Sequence, residues 1–233
     1  MDRIRLCALC GIAGQIILTL GWAAGQVAQP RAYDDSSQQI SDLGALTAAH
    51  AWIWNAADSV SGALTAFFAL GLYALLRTER AGAVGAALIG VIGVGGVVDG
   101  LLREDCPLST SHACRVLRDG PGLSWHHQAH VVESVIVGLS SGAVPFVLAF
   151  AFARLPAWRS LLGVTLATGV VSGAMLIAYL VLYGGAGAGI AERGSVTVLA
   201  VWTAVVAVRA FGLGGGRSRL DRPRGRQRRP AAR

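Results

Sequence analysis

Six separated stretches of mainly apolar residues run through this 233-residue chain, each near the roughly twenty residues that a helix needs to cross the hydrocarbon core of a bilayer. They cover about residues 6–28, 52–76, 81–102, 130–153, 161–183 and 195–213. A backbone in hydrocarbon must satisfy its own N–H and C=O groups, so segments of this kind are helices. The expected fold class is therefore all-α: a polytopic membrane protein with a six-transmembrane-helix bundle over residues 1–213. Composition supports this, with 54% hydrophobic and 14% charged residues against roughly 25% charged in a soluble domain. The first stretch carries Arg3 and Arg5 and ends near small residues, as a signal peptide does. Its apolar run exceeds the roughly 7–15 residues of a signal core, so a retained span is expected. The last stretch is interrupted by Arg209, whose side chain must snorkel to the interface.

Every basic residue is arginine, and fifteen of the twenty fall on one side of this topology. The arginine-rich side is expected to be cytoplasmic, which places both termini there and makes the chain a multi-pass protein of the cell (plasma) membrane. Eight arginines lie between Arg217 and Arg233, so the net charge of +7 describes a tail. Residues 214–233 are poor in apolar side chains and are expected to form a disordered cytoplasmic tail. Beside the lipid bilayer, the partners expected are anionic lipid headgroups at that tail. No aromatic residues interleave its arginines, so no nucleic acid partner is expected.

The polar residues that need an explanation gather on the opposite side, in loops 29–51 and 103–124 and at nearby helix ends. Cys106 and Cys114 are close enough in sequence to form a disulfide on an oxidising face, whereas Cys7 and Cys10 begin a span near reducing cytoplasm. Ser124 is a good N-cap for the fourth span. Within Ser124-Trp125-His126-His127-Gln128-Ala129-His130-Val131-Val132-Glu133, His126 and His130 share a helix face and Glu133 follows His130 by three. That stripe could hold a zinc-like divalent metal, with Asp42 or Asp105 (or Asp34) completing the shell. It could also relay protons or simply pack at the interface. Asp58 and Asp99 are acids at membrane depth, and Glu192 and Arg193 stand before the last span. These four form a possible intramembrane or interfacial polar network. No haem is expected, because three of five histidines fall within one five-residue stretch. The Cys7–Cys10 spacing lacks the strand–helix context of a redox motif.

The segments Ile40-Ser41-Asp42-Leu43-Gly44, Trp52-Ile53-Trp54-Asn55, Asp105-Cys106-Pro107, His126 to His130 and Gly189-Ile190-Ala191-Glu192-Arg193 occur in this order. In them the chain resembles the bacterial and archaeal membrane proteins grouped as domain of unknown function 998, over about residues 5–213. The resemblance implies a multi-pass membrane protein and no established activity, so no catalytic role carries over. Two functions from different classes remain. One is a small transporter, sensor or assembly partner with an outward-facing polar site. The other is a metal-dependent, membrane-embedded hydrolase or lipid-modifying enzyme using the His126/His130 cluster. Convergence of Asp42, Asp105, His126, His130 and Glu133 in space would separate them.

Overall fold

The computed structural model describes residues 2–30 and 33–220, with side chains through Gly214. Among these residues the chain is all helical: α1 (Arg3–Val27), α2 (Trp52–Leu76), α3 (Arg80–Leu101), α4 (His112–Asp119), α5 (Trp125–Arg154), α6 (Leu162–Leu182) and α7 (Ala188–Leu220). Six of them, all but the short α4, are long and apolar enough to span a membrane. Their outward faces carry large apolar side chains that remain open, such as Leu20 at 64%, Leu139 at 71% and Val181 at 78% exposure. Surface of this kind is stable against lipid rather than water. An even number of crossings returns the chain to the face from which it started.

The spans close into a ring in which α1 packs on α2, α2 on α3, α3 on α5, α5 on α6, α6 on α7 and α7 back on α1. Small residues set how closely neighbours approach. A Cβ on Gly62 of α2 would lie 2.5 Å from the Gly93 carbonyl oxygen and 2.6 Å from the Val97 nitrogen of α3. Only bare glycine backbone admits this crossing, as is common where helices associate in lipid.

The two ends of the ring differ. The end with the short turns is filled by Phe68, Leu72, Leu76, Leu148, Phe152, Trp158 and Trp202, and Phe152 stacks on Trp158 at 5.0 Å between ring centroids. Arg209 reaches this end and donates to the Ala157 carbonyl, 2.8 Å from Nε, as its expected snorkelling requires. The other end carries the long loops. There Ile40, Leu43 and Trp54 form a second apolar cluster with Trp22, Tyr33 and Val196. The Cys106–Cys114 disulfide fastens the start of loop 102–124 to α4, and Cys7 and Cys10 are free.

Helix boundaries follow capping rather than hydropathy. α5 begins at Trp125, five residues before its apolar window, because the Ser124 hydroxyl accepts the His127 N–H at 3.2 Å. α7 begins at Ala188 rather than near 195 and continues to Leu220. Residues 214–220, expected as the start of a disordered tail, are thus helical. The rest of that tail, 221–233, lies outside the described residues.

Candidate functional site

The first turns of α5 meet the end of α3 and the loop that follows it. Asp105 joins loop to helix: its carboxylate accepts the Ser124 N–H at 2.7 Å and the Ser124 hydroxyl at 2.8 Å. In return the Asp105 N–H donates to Nδ1 of buried His127 at 3.0 Å. Burial opposes ionisation of Asp105. The two Ser124 hydrogen bonds and the adjacent His126 and His127 outweigh it and hold the carboxyl below the usual carboxylate range. His126 turns to the same loop. Its Nδ1 sits 2.6 Å from the Arg103 carbonyl and its Nε2 3.6 Å from Asp105.

One turn deeper, His130 faces a different set of groups. Its Nδ1 lies 3.1 Å from Asp99 Oδ1 and 3.1 Å from the Leu102 carbonyl. Its Nε2 lies 2.7 Å from Glu104 Oε1, and Glu104 accepts the Ser41 hydroxyl at 3.1 Å. Asp99, His130 and Glu133 each present one ligand atom within 4.8 Å of the others. Gly95 leaves room for this group, since a Cβ there would stand 2.6 Å from Glu133 Oε1. Asp58 of α2 joins from the far side through a carboxyl contact with Asp99. Such a contact is a hydrogen bond only when one partner carries a proton.

These carboxyls stand at the head of a cavity of about 300 Å³ in the centre of the ring. Its upper wall includes Asp58, Asp99, Glu133 and Glu192, and its deeper wall includes Ile92, Val144 and Trp202. The Trp202 indole donates to Thr165 at 3.0 Å. Over the loop end, Asp42 lies in the short helical turn Ser41–Gly44 and accepts the Gln39 N–H at 2.9 Å. Burial, followed by the neighbouring Glu104, pushes the Asp42 carboxyl up to about 8. Glu192 accepts the Ile40 N–H at 2.8 Å.

Arg193 is buried, yet no carboxylate pairs with it among the described residues. Its guanidinium donates to Gln26 at 3.2 Å and to the carbonyls of Asp35, Gln38 and Gly189 at 3.1, 2.7 and 3.1 Å. It also bonds the Tyr33 hydroxyl. Loop 33–39 is thereby tied to α7.

Among the described residues Asp42, Asp105, His126, His130 and Glu133 do not converge on one point, so the site expected at His126 and His130 is lost and a metal reading rests on a different set, Asp99, His130 and Glu133. His130 and Glu133 come together, and Asp99 and Asp58, read as a polar network, join them. His126 and Asp105 form a separate loop-to-helix anchor. Asp42 lies beside Glu104 under the loop cap, and Glu192 and Arg193 belong to α7. Glu104 and His127 were not singled out in the sequence. Glu104 is one acid in Arg103-Glu104-Asp105, and its closeness to His130 arises only from the fold. His127 had a readable signal, because the Ser124 cap makes it the third helical residue and turns it toward the loop.

No curated protein and no solved structure matches this chain. The profile of a family described as Protein of unknown function (DUF998) matches residues 12–209. That range takes in most of the ring and all the carboxyl and histidine residues around the cavity, so the chain belongs to the DUF998 family.

Proposed function

We propose that this protein is a metal-dependent hydrolase embedded in the membrane and acting on amphiphiles. The observation that carries the reading is the Asp99–His130–Glu133 group, with the other nitrogen of His130 fixed by Glu104. A histidine that ligates a metal usually donates its second N–H to a carboxylate, which sets its tautomer and aim. Three protein ligands leave a coordination position for water, the pattern of catalytic rather than structural zinc sites. A divalent ion here would supply activated water. In the hydrolysis, water's oxygen bonds to the acyl carbon of an ester or amide, the bond to the leaving oxygen or nitrogen breaks, and the leaving group takes a proton. The attacking water supplies that proton, so the step balances on water alone.

The loop face is proposed to be the outer face of the plasma membrane, with both termini in the cytoplasm and the arginines beyond Gly214 against anionic headgroups. Tail positions labelled from outside intact cells would reverse this topology.

A small transporter, sensor or assembly partner is the second reading. Asp58 favours it, since a buried acid facing an intramembrane cavity is a usual feature of ion paths. The apolar plug of Phe68, Leu72 and Phe152 below the cavity favours a site open to one side only. Metal analysis of the detergent-purified chain beside His130→Ala and Glu133→Gln decides the main reading. The chain should hold stoichiometric divalent metal and hydrolyse ester or amide amphiphiles in nanodiscs, and both variants should lose both properties. A folded chain that takes up no divalent ion ends the reading. Metal binding with uptake into proteoliposomes and no hydrolysis transfers the site to the transporter.

A further inference from the structure

The charge balance inside the cavity is one-sided. Asp58, Asp99, Glu133 and Glu192 line it, and His130, beside Asp99, is the one imidazole in the group. Arg193 is the nearest arginine to Glu192 in sequence, but its N–H groups are directed at Gln26, Tyr33 and main-chain carbonyls. Among the described residues no guanidinium lines the cavity to receive a phosphate. A metal on Asp99, His130 and Glu133 would still leave Asp58 and Glu192 with no salt bridge among the described residues. Asp58 is only 6% exposed, meets two further acids, and has its Oδ1 over Gly96, where a Cβ would stand 3.1 Å away. A buried acid of this kind calls for a cation or a donor from a ligand.

The cavity wall is thin on one side. Gly138, Ser141 and Gly142 of α5 and Leu176 of α6 line it. A Cβ on Gly138 would meet no atom within 4 Å, and one on Gly142 would meet only Leu176, at 3.9 Å. The two glycines leave the α5–α6 seam without side-chain cover at these positions, which makes it the candidate path between cavity and lipid. Below the acids the walls are apolar, and a cavity of about 300 Å³ is at the small end of the ligand range of roughly 300–1,000 Å³.

We infer that the cavity accepts a single-chain amphiphile with an amine headgroup, which passes from the lipid through the α5–α6 seam and sets its ammonium between Asp58 and Glu192. This names the substrate class for the site proposed above and rests on that reading only for the hydrolytic step. Charge complementarity chooses the occupant: an ammonium meets carboxylates, and a phosphate meets the same carboxylates with no cation to offset them. The apolar wall takes the chain.

The test uses the full chain in nanodiscs and two bromine-labelled probes of equal chain length, an alkylamine and an alkyl phosphate. Quenching of the tryptophan emission reports occupancy, because Trp54 and Trp202 line the cavity. The amine should bind at least about tenfold more tightly than the phosphate. Asp58→Asn should weaken the amine and leave the phosphate unchanged. Gly138→Phe, which fills the seam, should abolish amine quenching. Gly163→Phe, in equally open space at the start of α6, should not. Equal quenching by both probes, or an unaltered response in Gly138→Phe, overturns the inference. Metal content is measured on the same preparations. Amine binding without metal leaves this inference standing and removes the hydrolase reading, and metal without amine selectivity does the reverse.

Discussion

Nε2 of His130 stands 2.7 Å from Oε1 of Glu104, while its Nδ1 faces Asp99 at 3.1 Å. With Nε2–H committed to Glu104, the Nδ1 edge is the one turned to the other carboxyls. Glu104 is itself held by the Ser41 hydroxyl, so loop 33–51 helps to aim a ring on α5.

Removing that support should weaken cation binding without removing a ligand. Glu104→Ala is expected to lower divalent-metal affinity by roughly 10–100-fold, the usual effect of losing a carboxylate behind a ligating histidine. Glu104→Gln should cost less, because its amide oxygen can still accept from Nε2. Competition against a chromophoric chelator measures both. Unchanged affinity in Glu104→Ala would remove Glu104 from the site.

The disulfide bears on the same loop. Cys106 follows Glu104 and Asp105 by one or two residues, and its bond to Cys114 limits how far these acids can move. Cys106→Ser/Cys114→Ser should destabilise the loop end by about 2–4 kcal/mol and loosen metal binding, while α1 and α2 stay protected. Hydrogen exchange by segment reads this. Uniform loss of protection through the whole ring would contradict it.

Stability should depend on pH through Asp42. Its carboxyl is pushed up to about 8, so the folded chain keeps a proton that the unfolded chain releases at the ordinary aspartate value of about 3.9. The folded state then binds more protons across that window, and stability falls as pH rises through it. Melting in detergent should drop between about pH 4 and about pH 8 and level off above, and Asp42→Asn should flatten the drop. The amide can still accept the Gln39 N–H. An equal slope in the variant would assign the dependence elsewhere.

The α2–α3 crossing should tolerate no side chain. A Cβ at Gly62 would stand 2.6 Å from the Val97 nitrogen, which can yield only if the helices separate. Gly62→Ala should cost at least about 1–3 kcal/mol and lower the melting temperature, whereas Gly163→Ala, with nothing within 4 Å, should be neutral. Thermal melts of the two variants side by side give the comparison.

The spans were legible because lipid imposes a length and an apolar composition on every helix that crosses it. Their ends were less legible, because hydropathy stops at polar residues while helices stop where caps stop. His126 and His127 are polar yet helical, owing to Ser124. Glu192 and Arg193 are charged yet helical, because Ile40 and the 33–38 loop bond to them. Within the site, His130 and Glu133 could be paired from their spacing on one helix. Asp99 comes from α3 and Glu104 from the following loop, and their approach to His130 is a product of the ring. Asp105 was legible as important, but its partners are Ser124 and the first two histidines of α5, His126 and His127.

The proposed path through the α5–α6 seam runs sideways, while Gln39, Ile40 and Ser41 stand over the cavity. A ligand that uses this path is drawn from a two-dimensional reservoir. Occupancy would then follow the ligand's mole fraction in the leaflet, and diluting the aqueous phase at fixed lipid would leave it unchanged. Membrane composition next to α5 and α6 would set the working rate more than any concentration in solution.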